Sequence, residues 1–203
     1  SNERALANKL SPISEAMTTI SDNGKDALPW HDYQPGQGRV SNHVTHLRIG
    51  VRQAVAAAGN GAAPEIIMLS DCSHHPNLQR VQIHVHTVEL IPWHAFACCT
   101  HLEQVEFVAS TRQSSVAAAT SNPPVQSPRL TRIGGDAFRN CRSLHSVIGM
   151  ENVSCSLERI GVDAFGYCPN LTTLDLSCLT RLQLLELFSF DECKSLTVVD
   201  LSN

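Results

Sequence analysis

The chain of 203 residues has no large excess of either charge and no long run of apolar residues. It has 15 Lys and Arg residues and 19 Asp and Glu residues, which give a net charge of −4. The chain therefore lacks the excess of basic residues that is typical of nucleic-acid-binding proteins. No apolar stretch approaches the length that spans a bilayer. The first residues also lack the basic start and apolar centre of a signal peptide. We therefore expect that the protein neither binds nucleic acid nor inserts into a membrane.

The short motifs of several common catalytic sites are also absent from the sequence. There is no Walker loop for phosphates, no dinucleotide-binding glycine motif and no nucleophile elbow. No two C-x-x-C pairs occur that would supply the four thiolates of a structural zinc site. A non-catalytic protein without a cofactor is therefore the first expectation.

The sequence does contain a motif that occurs four times. In each copy a small residue and Phe are followed by Cys at the third position after Phe and by Leu at the sixth. An apolar pair such as Leu157 and Ile160 precedes each Phe at fixed distances. The repeated positions are Phe96, Phe138, Phe165 and Phe190, with Cys99, Cys141, Cys168 and Cys193. A fixed period of this kind predicts stacked repeats that form a solenoid.

The repeated Phe and Cys positions predict the interior of this stack. Equivalent residues of successive repeats lie about 5 Å apart, so we expect one column of phenylalanines and one of cysteines in the core. A buried Cys packs as a small apolar residue whose thiol donates weakly to nearby carbonyls, which favours free thiols over disulfides. Free thiols and the missing signal pattern together favour an intracellular location.

A short strand is predicted where apolar residues alternate after each Cys. Residues between the inward apolar positions then face outward and form a continuous surface along the stack, of the kind that repeat proteins use for binding. Its expected members are Arg80, Gln82, Gln104, Glu106, Ser146, Ile148, Thr173, Asp175, Val198 and Asp200. The acidic members indicate a basic or mixed partner segment, while a merely solvated sheet face remains the alternative.

Two regions of the chain differ from the repeat pattern. Residues 1–39 contain SDNGKD and QPGQG, which predict a flexible tail or linker before a repeat domain of about five layers at 40–203. The Phe positions 96 and 138 are 42 residues apart, against 27 for the next pair, which predicts a looped insert within 108–129. No polar capping unit follows the last repeat, so its end is a candidate for self-association.

Histidines and the remaining cysteines offer two alternative functions. Six of the ten histidines lie at 74–101, namely His74, His75, His84, His86, His94 and His101. Because zinc needs three or four ligands, a site of His84, His86 and Cys98 is conceivable. A Cys-dependent hydrolase would need a reactive thiol such as Cys98, Cys155 or Cys178, but no sequence context supports one. Solvated histidines and inert thiols are the simpler interpretation.

The best-preserved copies resemble a known repeat family. The segments LTRIGGDAFRNCRSLHSV at 130–147 and LERIGVDAFGYCPNLTTLDL at 157–176 resemble the BspA-type leucine-rich repeat, and the similarity extends over 64–203 apart from the insert. In the segment at 64–83, His75 replaces the repeated Cys and Cys72 replaces the Phe. The sequence departs from the pattern at Gly149, which replaces an inward apolar residue.

The resemblance implies an α/β solenoid, a right-handed coil with a short parallel sheet on one face. Such repeats place Cys where other leucine-rich repeats have an inward Asn that satisfies backbone groups of the loop. The family is associated with protein–protein contact and with cell-surface adhesion in microbes, and it has no catalytic residues to transfer. The resemblance thus implies a protein-binding or scaffolding module, and a cell-surface location as the alternative to an intracellular one.

Overall fold

The computed structural model describes residues 30–33, 39–50, 72–109, 127–197 and 199–200. Its strands are His31–Tyr33 (β1), His46–Ile49 (β2), Arg80–His84 (β3), Leu90–Ile91 (β4), Gln104–Val108 (β5), Arg132–Ile133 (β6), Ser146–Ile148 (β7), Arg159–Ile160 (β8), Leu174–Asp175 (β9), Leu184–Leu185 (β10) and Val199–Asp200 (β11). A 3-10 helix spans Met150–Val153. These described residues include no α-helix, so the α part of the expected α/β class is wrong for them.

The first sheet contains five parallel strands in the order β1-β2-β3-β5-β7. Buried residues alternate with more exposed ones along β3 and β5, so one face of the sheet is buried and the other is open. In β3, for example, Val81 and Ile83 are buried, while Gln82 between them is partly exposed. A bridge between Ser146 and Thr173 continues this side of the stack to the parallel pair β9 and β11.

A second parallel sheet, in the order β10-β8-β6-β4, forms at the second residue of the apolar pair that precedes each Phe. Each strand is two residues long, and its second residue points inward, as the buried Ile91, Ile133 and Ile160 show. The sequence analysis did not predict this second sheet. The core lies on the inward faces of the strands and contains the apolar positions of every repeat.

Strand β1 lies inside the predicted N-terminal tail. His31–Tyr33 pairs in parallel with Leu47–Ile49 of β2, and Tyr33 is buried. Residues 31–33 of the predicted tail are therefore part of the first sheet. Most of the tail, residues 110–126 of the predicted insert and Val198 lie outside the described residues. The boundary at residue 40 and the number of layers stay predictions.

The loop around each Phe makes a further set of hydrogen bonds between repeats. The Phe96 N–H donates to the Ala137 carbonyl at 2.7 Å, and the Phe138 N–H donates to the Ala164 carbonyl at 2.8 Å. Positive φ angles occur two residues before and two residues after each repeated Phe, at His94, Cys98, Asp136, Asn140, Asp163, Tyr167, Phe188 and Glu192. This alternation turns successive peptides so that their N–H groups reach the next repeat, which satisfies the buried backbone.

Gly149 explains the irregular copy of the repeat. Its φ of 81° is in the left-handed region that glycine tolerates, and a Cβ there would overlap the Phe107 carbonyl. The chain turns at this point into the 3-10 helix, whose Met150 and Val153 are buried instead. The Asn152 side chain then donates to the same Phe107 carbonyl at 2.9 Å.

Candidate functional site

The open face of the first sheet carries an in-register row of side chains. Because the strands are parallel and share one register, equivalent outward residues lie next to one another. The row, which we call the partner face row, consists of Asp32, Arg48, Gln82, Glu106 and Ile148. It crosses all five strands, and each of its side chains is partly accessible to solvent.

Contacts along the row hold its side chains in place. The Arg48 Nε donates to Asp32 Oδ1 at 2.8 Å, and the Gln82 amide donates to Glu106 Oε2 at 2.9 Å. The Arg48 guanidinium also lies 5.8 Å from the centre of the Trp30 ring, close enough for a cation–π contact. The face is therefore preordered, which lowers the entropy lost when a partner binds.

A shallow hollow of about 80 Å³ lies beside the row. It is lined by Trp30, Arg80, Val81, Gln82, Gln104 and Glu106. The hollow is too small for a cofactor, since small-molecule sites typically measure about 300 Å³ or more. It is of a size to receive one side chain of a partner.

The structure brings most of the sequence-predicted contact residues to this face. Gln82, Gln104, Glu106, Ser146 and Ile148 lie on the adjacent strands β3, β5 and β7. Arg80 is on the same strand as Gln82, and Thr173 continues the line through its bridge to Ser146. Their role in contacting a partner stays a prediction.

Two further predicted contact residues, Asp175 and Asp200, lie at the end of the stack that contains β9 and β11. Asp175 is exposed, and its Oδ1 accepts hydrogen bonds from the Ser177 backbone at 2.9 Å and hydroxyl at 2.6 Å. The backbone of Asp200 pairs with that of Asp175, while Val198 lies outside the described residues. Asp175 is thus engaged in a local turn as well as exposed on the face.

Sequence reasoning missed three members of this face, namely Trp30, Asp32 and Arg48. Trp30 and Asp32 belong to a segment interpreted as tail, because three-residue strands carry little periodicity. Trp30 packs edge-on against His46 with 5.1 Å between the ring centres, so it anchors the start of β1. The alternation of apolar Leu47 and Ile49 around Arg48 was the signal that could have placed Arg48 on the open face.

The repeated phenylalanines form a stack of parallel rings. Ring centres are separated by 5.2 Å from Phe96 to Phe138, by 5.2 Å from Phe138 to Phe165, and by 5.7 Å from Phe165 to Phe190. Adjacent ring planes differ by 6°, 10° and 13°. The first three side chains are fully buried, and Phe190 is partly exposed.

The repeated cysteines are free thiols that donate to backbone carbonyls. The Cys141 thiol donates to the Phe96 carbonyl at 3.2 Å, and the Cys168 thiol donates to the Phe138 carbonyl at 3.2 Å. In the same way, the Cys193 thiol donates to the Phe165 carbonyl at 3.1 Å, and the Cys99 thiol donates to the backbone carbonyl of Cys72 at 3.0 Å. His75, which replaces the Cys in the earliest copy, donates from Nε2 to the Ser41 carbonyl at 2.9 Å.

These thiols are poor nucleophiles. Burial raises the pKa of Cys99 and of Cys168 to about 12, and it raises the pKa of Cys141 and Cys193 as well. A nucleophilic cysteine needs the opposite shift, toward the thiolate. Cys178, outside the repeated position, also has its pKa raised by burial.

The histidine-rich region does not assemble a metal site. The described residues contain no group of three His, Cys, Asp or Glu side chains that could hold a metal ion. His84, His86 and Cys98 are all described, and they do not form such a group. The Cys98 sulfur instead accepts a hydrogen bond from the Asn140 amide at 3.5 Å. Burial, followed by the charge of Arg48, lowers the pKa of His84.

The comparison with known protein families supports the repeat assignment. Residues 120–203 match the family model described as BspA type leucine rich repeat region (6 copies). Among solved structures, the chain is similar to a leucine-rich repeat protein from Bacteroides ovatus, with 19% sequence identity and a TM-score of 0.41. That alignment covers 81% of this chain and 37% of the other, so this chain spans little more than a third of its relative. None of the curated proteins matches it.

Leucine-rich repeats generally mediate protein interactions and are generally non-enzymatic. Within the described part of the chain, no helix has the length and apolar character needed to cross a bilayer. The parallel sheets, the recurring Phe and Cys positions and the family match agree with one another. They confirm the resemblance inferred from the sequence, since residues 120–203 of this chain match the model of the BspA-type leucine-rich repeat region.

Proposed function

We propose that this protein is a non-catalytic interaction and scaffolding module, a right-handed solenoid that binds a partner protein along the open face of its first sheet. The observation that carries the proposal is the partner face row, a preordered line of mixed-charge side chains across five parallel strands. Repeat proteins commonly use such extended surfaces for recognition.

The charges of the row indicate the chemistry of the partner segment. Asp32 and Arg48 form an ion pair with each other, so they contribute no net charge. Glu106 has only the neutral Gln82 amide as its side-chain donor among the described residues, and Ile148 beside it is 40% exposed. A partner that presents Lys or Arg next to an apolar side chain fits this pair of neighbours.

The partner contacts centre on Glu106 and Ile148 and extend along the stack in both directions. Toward β1 they include Trp30, Asp32, Arg48, Arg80, Gln82 and Gln104, and toward β11 they include Ser146, Thr173, Asp175, Val198 and Asp200. The buried thiols with raised pKa support a role without catalysis.

The test is affinity capture from native lysate with the wild type, Glu106→Arg and a control. Glu106 suits this purpose better than Asp175, because Asp175 accepts from the backbone N–H of Ser177 in a turn, whereas Glu106 accepts from the side chain of Gln82. Glu151→Arg makes the same change of charge at an exposed position in the 3-10 helix. We expect proteins that are retained by the wild type and by Glu151→Arg to be lost with Glu106→Arg.

The same set of captured proteins with all three forms would contradict the proposal. Circular dichroism of each form confirms that the variants are folded before capture. A partner identified in this way is then tested directly by titration against the purified wild type and Glu106→Arg.

A further inference from the structure

Two arginines lie side by side on the outward face of the second sheet. Arg132 on β6 is the register partner of Arg159 on β8, and both are exposed. Among the described residues, neither guanidinium has a hydrogen bond or an ion pair. Because like charges on directly opposed residues repel, this pair destabilises the sheet.

The arginines border a shallow groove of about 310 Å³. Its other lining residues are Thr131, Glu158, Gln183 and Leu184. Among these lining residues, the carboxylate of Glu158 already forms an ion pair with Arg181 at 3.2 Å. The groove thus presents two uncompensated positive charges on a chain whose net charge is −4.

Apolar residues flank the arginine pair on both sides. Leu90 on β4 is the register partner of Arg132, and Leu184 on β10 is the register partner of Arg159. Four outward positions therefore form a row across the sheet in the order Leu90, Arg132, Arg159 and Leu184. With neighbouring strands about 4.8 Å apart, the two leucines are separated by about 14 Å.

An extended peptide matches the spacing of this row. Four residue steps of about 3.4 Å also cover about 14 Å, and the first, third and fifth side chains face the same way. When the first and fifth residues lie over the leucines, the third lies midway between the arginines. A carboxylate at this point can accept from both guanidinium groups.

We propose that the row from Leu90 to Leu184 binds an extended segment of a partner protein with the pattern apolar-x-acidic-x-apolar. The central carboxylate neutralises the repulsion between Arg132 and Arg159, and the apolar residues pack against Leu90 and Leu184. This site lies on a different sheet from the partner face row, so either site can exist without the other.

The test uses a fluorescein-labelled peptide, Gly-Ser-Leu-Ser-Glu-Ser-Leu-Ser-Gly, in fluorescence anisotropy titrations at low salt. We expect saturable binding to the wild type. The double variant Arg132→Gln, Arg159→Gln should bind this peptide at least about tenfold more weakly than the wild type does. The wild type should show a similar loss of affinity for a peptide with Gln in place of Glu. Raising the salt concentration should weaken binding of the acidic peptide.

The matched control is the double variant Arg39→Gln, Arg142→Gln, which removes the same charge at exposed positions elsewhere. It should bind the peptide like the wild type. The groove variant should also melt at a temperature equal to or above that of the wild type, because it relieves the repulsion. A loss of binding then reflects the groove and not unfolding.

Three results would overturn the proposal. The first is no saturable binding by the wild type up to about 1 mM peptide. The second is an equal loss of affinity in the control variant, which would indicate general charge attraction only. The third is tighter binding of a single-stranded DNA oligonucleotide than of the peptide, which would assign the arginines to a different class of partner.

Discussion

At the scale of single residues, each repeated cysteine combines two roles in the core. Its sulfur fills a small apolar space, and its thiol donates to a backbone carbonyl of the preceding repeat. Only the neutral thiol can donate in this way, and the apolar surroundings also favour it. The consequence is that burial raises the pKa of Cys168 from 9.0 to about 12.

This pKa shift predicts a loss of stability at alkaline pH. Below pH 9 the thiol is protonated in the folded and the unfolded chain, and its contribution is complete. Between pH 9 and about 12 only the unfolded chain ionises at Cys168, so stability falls as pH rises, by about 1.4 kcal/mol per pH unit for each such thiol. Cys168→Ser keeps a donor but does not ionise in this range, so its stability should fall less steeply.

Urea denaturation at intervals from pH 8 to 11 measures this difference in slope. The exposed Cys155 provides the control, because Cys155→Ser should follow the wild type across the whole range. Parallel curves for the wild type and Cys168→Ser would show that the Cys168 thiol does not hold its proton more tightly in the folded chain.

At the scale of elements, the phenylalanine column joins the repeats into one core. Phe165 is fully buried, and its ring stacks against Phe138 on one side and Phe190 on the other. Phe165→Ala removes both ring contacts and leaves a cavity that a rigid backbone cannot close. We therefore expect a decrease of about 3–5 kcal/mol in the free energy of unfolding.

Phe188→Ala is the matched control for this prediction, because it deletes the same side chain where it is 62% exposed. Its effect should stay within about 0.5 kcal/mol. Chemical denaturation monitored by circular dichroism gives both values. A Phe165→Ala effect as small as that of Phe188→Ala would be incompatible with a packed aromatic column.

The sequence predicted those strands in which apolar residues are buried and polar residues are exposed. The alternation around Val105 and Phe107 indicated a strand, and β5 spans Gln104–Val108. The second sheet was not predicted, because a two-residue strand such as Arg159–Ile160 has no periodicity to detect. Strand β1 was missed for a related reason, since its pairing with β2 and not its composition makes it a strand.

Backbone conformation was the least predictable feature. Asp136, Asn140 and Asp163 are residue types that tolerate positive φ, and they could have indicated the loop geometry. Phe188 and Tyr167 have the same conformation without any such preference. The Tyr167 N–H donates to the Asp191 carbonyl of the adjacent repeat, and the Leu187 carbonyl beside Phe188 accepts from the Asp163 N–H. Contacts between stacked repeats therefore override the local preference of the residue type.

At the scale of the whole molecule, the repeat at 182–196 differs from those before it. In earlier repeats the N–H groups around Phe donate to the following repeat, but those of Phe188, Phe190 and Glu192 have no acceptor among the described residues. Leu187 and Phe188 in the same repeat are 74% and 62% exposed. This part of the surface thus combines unpaired donors with a cluster of exposed apolar side chains.

These features predict self-association through the repeat at 182–196. In a two-fold pairing the N–H groups of one copy would face those of the other, so the ladder of hydrogen bonds could not continue across the contact. Association then depends on burying apolar area, which added salt does not weaken as it weakens ion pairs. We expect sedimentation coefficients that rise with protein concentration at both low and high salt. The double variant Leu187→Asp, Phe188→Asp should stay monomeric throughout, because two carboxylates would be desolvated on association.

The control for this experiment is Ile148→Asp, which places a charge at an exposed apolar residue on the first sheet and should associate like the wild type. Association of the double variant to the same extent as the wild type would place the contact elsewhere on the molecule. Dissociation of the wild type by high salt would show that charges and not the apolar cluster hold the copies together. Loss of association in Ile148→Asp alone would place the contact on the partner face row, where the copies would compete with a partner protein.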